Sequence, residues 1–256
     1  MTAIKLSYLV CATPRTGTNF LCEVLSSAGV LGYPEEYFWQ RSFWYQRWGV
    51  SDFAAFINEV RGHGTSPNGV FGSKLMWEQV NDLVRDLALM FGMSDASPPR
   101  LLETAFPNLH YLWLRRSDRI RQGISYYRAL ATKRWRSTDA SGVQSDPPFN
   151  FEAIQSLIRL CEWEDAGWQE FFESHAIARL VVTYEEFAAA PGATACQIVG
   201  ELGLQAPERL PAESWCHERQ ADTLTDQWAA RYRAELASSR DLSSEEVLRI
   251  LGTWTA

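Results

Sequence analysis

Leu6-Ser7-Tyr8-Leu9-Val10-Cys11-Ala12-Thr13-Pro14-Arg15-Thr16-Gly17-Thr18-Asn19-Phe20-Leu21 stands near the start of the chain. Residues 6–12 form a short apolar run bounded by Pro14 and Gly17; the run is too short for a helix and predicts a buried strand. Beyond it, Phe20, Leu21, Val24, Leu25 and Ala28 recur at helical spacing, with Thr18 or Asn19 as cap and Gly29 as stop. The reading is strand, tight loop, helix. Such a junction gathers free backbone N–H groups and the positive end of the helix dipole at one spot, where a phosphate can be held. Arg15 adds a charge-assisted bond and Thr18 a hydroxyl donor. No Lys follows Gly17, and no earlier Gly stands at the spacing of the nucleoside-triphosphatase loop, so magnesium-dependent phosphoryl transfer loses support.

Working outward, short apolar runs at 70–75, 109–114 and 180–183 alternate with helical stretches at 118–130 and 151–172. That alternation predicts an α/β fold in which a parallel sheet is covered by helices and ligands sit beyond the carboxyl ends of the strands. With 46% hydrophobic residues, the 256 residues suffice for one large domain spanning 1–256. Residues 137–150, rich in Ser, Asp, Gly and Pro, read as a mobile surface loop able to act as a lid. Ser243 and Glu246 form a capping-box pattern opening a final short helix.

No apolar run reaches the roughly 20 residues that cross a bilayer, and no signal-peptide pattern opens the sequence. The five cysteines are scattered without a C-x-x-C pair, which fits a reducing compartment; the expectation is a soluble, cytoplasmic protein with no integral membrane segment. The histidines His63, His110, His175 and His217 show no zinc spacing, and no metal is expected. A net charge of −7 argues against nucleic acid as a partner. The positive charge is nevertheless concentrated: Arg115, Arg116, Arg119, Arg121, Arg128, Lys133, Arg134 and Arg136 face only Asp118. An acidic protein with one basic segment is equipped for a small polyanion, although the same residues also fit a solvated helix face.

The string PRTGTNFL resembles the 5′-phosphosulfate loop of sulfotransferases that use 3′-phosphoadenosine 5′-phosphosulfate (PAPS), P-[KR]-[ST]-G-[ST]-[ST]. The match implies that Arg15, Thr16, Gly17 and Thr18 grip the 5′-phosphate, with Asn19 in place of the more usual hydroxyl residue. Arg116 and Ser125, in the segment RRSDRIRQGISYYRA, resemble the pair that holds the 3′-phosphate. Their spacing is longer than the commonest cytosolic form, so Arg115 stays an alternative to Arg116. Three further strings, GYPEEYF (32–38), GSKLMW (72–77) and ERQADTLTDQWAARYRAE (218–235), are similar, in this order, to those of the bacterial trehalose 2-sulfotransferase type. The resemblance implies the sulfotransferase fold, a P-loop-like parallel sheet flanked by helices. It also implies PAPS as co-substrate without a metal, and Arg219 and Gln220 as further nucleotide ligands.

Sulfuryl transfer needs an in-line acceptor oxygen, charge stabilisation on the moving group and a base for the hydroxyl proton. In GSKLMW the position two after Lys74 is Met76, which cannot take a proton as the histidine of common cytosolic enzymes does. The resemblance implies Glu36 of GYPEEYF as base, with Glu35 the neighbouring alternative and His217 a remoter one. A carboxylate beside a phosphate-rich, partly dry pocket is expected to have its pKa raised. Lys74 and Arg15 would offset charge on the transferring group. Tyr33, Glu35 and Glu36 are candidate acceptor contacts. Trp39, Phe43, Trp44, Tyr45 and Trp48 suit sugar rings or an apolar aglycone, yet their spacing also fits the buried face of a helix or a subunit contact. Tyr33 stands where the trehalose type has an acidic residue, which argues against trehalose itself. The acceptor is read as a small-molecule or glycoconjugate hydroxyl, and a homodimer agrees with the resemblance. An ATP-dependent small-molecule kinase and a non-catalytic nucleotide-binding module are the competing readings.

Overall fold

The computed structural model describes residues 2–135, 145–205 and 222–238. Within them lie four strands, β1 (Leu6–Ala12), β2 (Val70–Met76), β3 (Leu109–Arg115) and β4 (Leu180–Thr183), all parallel in the order β2-β1-β3-β4. β1 is central: Leu6 pairs with Val70 and Ala12 with Met76 on one side, Ser7 with Leu109 and Cys11 with Trp113 on the other. Each sequence-predicted strand forms; β2 and β3 run one residue further, through Met76 and Arg115.

Alternation along the strands sends side chains into two cores. Leu9, Cys11, Phe71, Leu75, Tyr111 and Trp113 face helices α3 (Phe53–Gly64), α4 (Trp77–Phe91), α5 (Pro98–Ala105) and α7 (Phe151–Ser174). Tyr8, Val10, Ala12, Leu112 and Leu114 face α1 (Thr18–Ser27), α8 (Tyr184–Ala189) and α9 (Pro191–Glu201). Strands covered on both faces read as continuous apolar runs, which is why residues 6–12 carry no polar alternation. A third cluster, with Ile124, Tyr127, Ile154, Ile158, Trp228 and Tyr232, joins α6 (Arg119–Thr132) and α7 to α10 (Thr223–Ser238). The remaining helix, α2 (Arg41–Trp48), has no buried residue.

Two glycines fix the geometry around the first loop. Gly17, at φ 87°, is the N-cap of α1, so Thr18 is the first helical residue and neither it nor Asn19 is the cap expected from the sequence. The reason is tertiary. A Cβ at Gly17 would stand 2.5 Å from Cδ2 of Tyr184, the residue that follows β4. Gly32, at φ 67°, lies so close to β2 that a Cβ would meet the Gly64 carbonyl and the Gly72 N–H at 2.7 Å each. GYPEEYF and GSKLMW therefore pack backbone against backbone.

The aromatic run after Glu36 divides. Trp44, Tyr45 and Trp48 pack, partly buried, against the α3 side of the core. Trp39 and Phe43 remain 43% and 50% exposed, so the buried-face expectation fails for those two. Among the described residues, no helix is long and apolar enough to cross a membrane.

Candidate active site

The carboxyl ends of the strands open into a cleft of about 1160 Å³ lined by Arg15, Gly17, Thr18, Asn19, Glu35, Glu36, Lys74 and Ser125, among others. The loop after β1 forms one wall. Arg15 and Gly17 both adopt positive φ, 64° and 87°, a backbone alternation that gathers N–H groups into an anion-binding concavity. A non-glycine residue held there stores about 1–2 kcal/mol of strain. Donors from elsewhere hold the loop in shape. Gln122 donates to the Pro14 carbonyl at 2.7 Å and to Thr13 Oγ1 at 3.0 Å, and Arg116 donates to the Arg15 carbonyl at 3.0 Å. Trp168 Nε1 donates to the Ala12 carbonyl at 3.0 Å. No side chain caps the N-terminus of α1. Thr16 is placed differently from expectation: buried, it donates its hydroxyl to the Thr13 carbonyl at 2.9 Å and lies outside the cleft lining. Arg15 Nε donates to Ser125 Oγ at 3.0 Å and Nη1 to the Trp135 carbonyl at 2.6 Å, linking the first loop to the second element.

Glu36 and Lys74, distant in sequence, meet at the end of β2. The Glu35 carbonyl accepts the backbone N–H of Lys74 at 3.0 Å, which fastens the GYPEEYF segment to the strand and sets Glu36 over it. Lys74 Nζ, with its side chain only 3% exposed, stands 2.7 Å from Glu36 Oε2 and donates to Asn19 Oδ1 at 2.8 Å. Gln79 Nε2 donates to Glu36 Oε1 at 3.0 Å, while Gln79 Oε1 accepts the Met76 N–H that opens α4. Glu36 is thus charge-compensated, where the sequence alone suggested a carboxylate facing like charge. Asn19 contributes as the acceptor that ties Lys74 to the phosphate loop. Gln79 was not a sequence candidate, although a Gln at the third helical position after GSKLMW is a capping signal. Tyr33 is 41% exposed and outside the cleft lining; its backbone bonds Gly64 and the Tyr37 hydroxyl, not the site.

On the other flank, Arg116 and Arg115 diverge. Arg116 lies 4.6 Å over the Tyr184 ring, the same ring that packs on Gly17. Burial pulls its guanidinium below the ordinary value against the opposing charges of Asp118 and Glu185, and its Nε has no hydrogen-bond partner. Arg115 instead sits 4.4 Å over Trp113 and 3.9 Å from Asp165. Three arginines of the basic segment are paired within the fold: Arg119 with Asp165, Arg121 with Asp118 and Asp226, and Arg128 with Asp146 and Asp222. These three arginines thus tie α6 to α7 and to the start of α10, a structural use that the sequence reading did not include. Arg219, Gln220 and His217, and the final helix at 243–246, lie outside the described residues, as does most of the 137–150 loop. Among the described residues, no group of three or more His, Cys, Asp or Glu is arranged to hold a metal ion.

A buried acid not anticipated from the sequence lies behind the site. Glu164 of α7 is 2% exposed and its Oε2 has no hydrogen-bond partner. Burial, then the charges of Glu78 and Asp165, push its carboxyl from near 4.5 up to about 8. The folded state binds this proton more tightly than the unfolded chain, so its contribution to stability is complete below pH 4.5 and is lost as pH rises toward 8. Glu164→Gln should abolish that slope. Denaturant unfolding at pH 6 and pH 8 should show the wild type losing about 2 kcal/mol more than the variant; equal losses would mean that Glu164 is ionised throughout.

Strand ends converging on the loop that opens α1, with a lysine–carboxylate pair beside it, define an α/β protein with a charged ligand cleft. Residues 7–235 match the family described as Stf0 sulphotransferase. Over 257 residues the chain is 29% identical to a trehalose 2-sulfotransferase of Mycobacterium tuberculosis, covering 89% of this chain and 94% of that protein. It is 28% identical over 258 residues to that of Mycolicibacterium smegmatis, covering 90% and 95%. The crystal structure of a sulfotransferase from Alicyclobacillus acidocaldarius matches with a TM-score of 0.50 at 16% identity, covering 99% of this chain and 100% of that one, a likeness of fold. The chain belongs to the Stf0 sulphotransferase family, has the sulfotransferase fold, and is an enzyme of sulfate transfer.

Proposed function

We propose that the protein transfers a sulfuryl group from PAPS to a hydroxyl of a carbohydrate or glycoconjugate by in-line displacement, with Glu36 as base. The observation that carries this reading is Lys74: one buried ammonium touches both Asn19 of the phosphate loop and Glu36. A base and a phosphate site joined through one cation suit a reaction in which a proton leaves one side of the centre while negative charge grows on the other.

The residues present fit a nucleotide with phosphate at both ends. The uncapped start of α1, with Arg15 and Gly17 at positive φ, suits the 5′ end, while Arg116, which bonds the Arg15 carbonyl, and the Ser125 hydroxyl suit the 3′-phosphate. Bound PAPS supplies the sulfuryl group, whose bond to the phosphate oxygen breaks as its bond to the acceptor oxygen forms. Glu36 Oε2 takes the acceptor's hydroxyl proton, and Gln79 holds the other carboxylate oxygen in place. Lys74 Nζ offsets the charge left on the departing phosphate oxygen, and Arg15 adds to it from the loop. The carbohydrate acceptor is inferred from the names of the curated relatives. We place the reaction in the cytoplasm, where the free thiols of Cys11, Cys22, Cys161 and Cys196 persist.

Calorimetry with 3′-phosphoadenosine 5′-phosphate, beside ADP and AMP and without magnesium, tests the donor. The bisphosphate should bind at least about tenfold tighter than ADP, and Arg116→Ala should remove about tenfold of that affinity through the lost charge-assisted bonds. Equal or better binding of ADP would return the kinase reading to first place.

A further inference from the structure

The cleft has a wall that the transfer reaction leaves unassigned. It is lined, next to Glu36, by Trp39, Phe43, Trp44 and Arg47, so these side chains share one cavity with Lys74 and the phosphate loop. Trp39 closes a turn with Glu36: its backbone N–H donates to the Glu36 backbone carbonyl at 3.4 Å. The shelf is preformed, with Trp44 stacked on Trp48 at 4.8 Å between centroids and Phe43 edge-on to Trp44 at 5.1 Å. Trp39 and Phe43 nevertheless keep 43% and 50% of their surface exposed. Large apolar surface held open inside a concave site, beside the reacting groups, is surface for a ligand. Arg47 stands 6.0 Å from the Phe43 ring centroid. Among the described residues, no acid pairs with it, whereas Arg41 on the same helix is paired with Asp86. At about 1160 Å³ the cleft exceeds the roughly 300–1,000 Å³ of ordinary small-ligand pockets, leaving room beside a nucleotide for a second molecule.

Resting on the sulfotransferase reading above, we propose that the acceptor is an anionic aryl glycoside: a sugar presenting its hydroxyl to Glu36, a flat apolar aglycone lying on Trp39, Phe43 and Trp44, and an acidic group reaching Arg47. In its sulfation the acceptor O–H bond breaks, its proton passes to Glu36, the oxygen–sulfur bond forms, and the old sulfur–oxygen pair leaves with the nucleotide phosphate. The face of α2 takes this role because Phe43, Trp44 and Arg47 line the same cavity as Glu36 and Lys74.

The test compares PAPS-dependent sulfation of methyl, phenyl and 4-carboxyphenyl β-glucoside and of trehalose by the full chain. Phenyl glucoside should exceed the methyl compound about tenfold in kcat/KM through ring contacts, and the carboxylate should add about fivefold more. Phe43→Ala should bring the phenyl-to-methyl ratio near one, and Arg47→Gln should remove only the increment from the carboxylate. The acceptor class is overturned, with the donor reading intact, if 3′-phosphoadenosine 5′-phosphate binds tightly but no aryl glucoside is sulfated, or trehalose and methyl glucoside do as well. It is also overturned if both variants keep the aryl preference while sedimentation shows a wild-type dimer falling to monomers, which would make this face a contact between copies. Absence of nucleotide binding would overturn the donor reading and this inference with it.

Discussion

Glu36→Gln is expected to lower kcat by about 10²–10⁴-fold, the usual contribution of a positioned base, while the affinity for 3′-phosphoadenosine 5′-phosphate stays within about threefold. The substitution is nearly isosteric, and the amide oxygen can still accept from Gln79, which now donates at 3.0 Å, or from Lys74 Nζ, now 2.7 Å away. What disappears is the capacity to take a proton from the acceptor. Single-turnover kinetics with saturating donor separate the two effects. Turnover near that of the wild type with intact nucleotide binding would remove Glu36 from the role of base and turn attention to Glu35, which lines the same cleft.

Lys74→Met should damage both stability and rate. The ammonium is 3% exposed and serves Glu36 and Asn19 at once; methionine fills similar space with no charge. Glu36 is left with a neutral donor, Gln79. Removing one partner of a fully buried ion pair costs about 3–5 kcal/mol; with the Glu36 side chain 22% exposed, about 2–3 kcal/mol is expected here. The rate should fall by about 10²–10³-fold, as when one preorganised donor is lost from a site of developing charge. The double variant Lys74→Met/Glu36→Gln should regain most of the stability and none of the activity. Urea unfolding of the four forms gives the coupling directly. Additive losses would mean that the pair seen in the structure contributes little.

Much of the frame was legible because it depends on near neighbours along the chain. Residues 6–12 are apolar without alternation, as a strand covered on both faces must be, and the helical spacing of Phe20, Leu21, Val24 and Leu25 follows from burying one face of α1 against the sheet. The tight turn from β1 into α1 was legible for the same reason, since its Pro and Gly lie within a few consecutive residues. The cap of α1 was misread because Gly17 answers to Tyr184, which arrives from the far side of the sheet. The pairing of Arg119, Arg121 and Arg128 was not legible because their counter-charges, Asp165, Asp222 and Asp226, lie much later in the chain. Arg116 is separated from Arg115 only by the direction in which the end of β3 turns each side chain, toward Tyr184 or toward Asp165.

The sequence by itself determined the parallel α/β frame and the strand, loop and helix that open it, and named Glu36 and Lys74 as candidates. Tertiary structure alone decided that Lys74 joins Glu36 to Asn19, that Gln79 holds the Glu36 carboxylate, that the Thr16 hydroxyl bonds within the loop, and that Trp39 and Phe43 stay open in the cleft. Secondary structure follows from steric and hydrophobic periodicities that span a few residues. A site is made of polar atoms within 3 Å or so of each other, and which atoms come that close depends on how distant segments pack against one sheet.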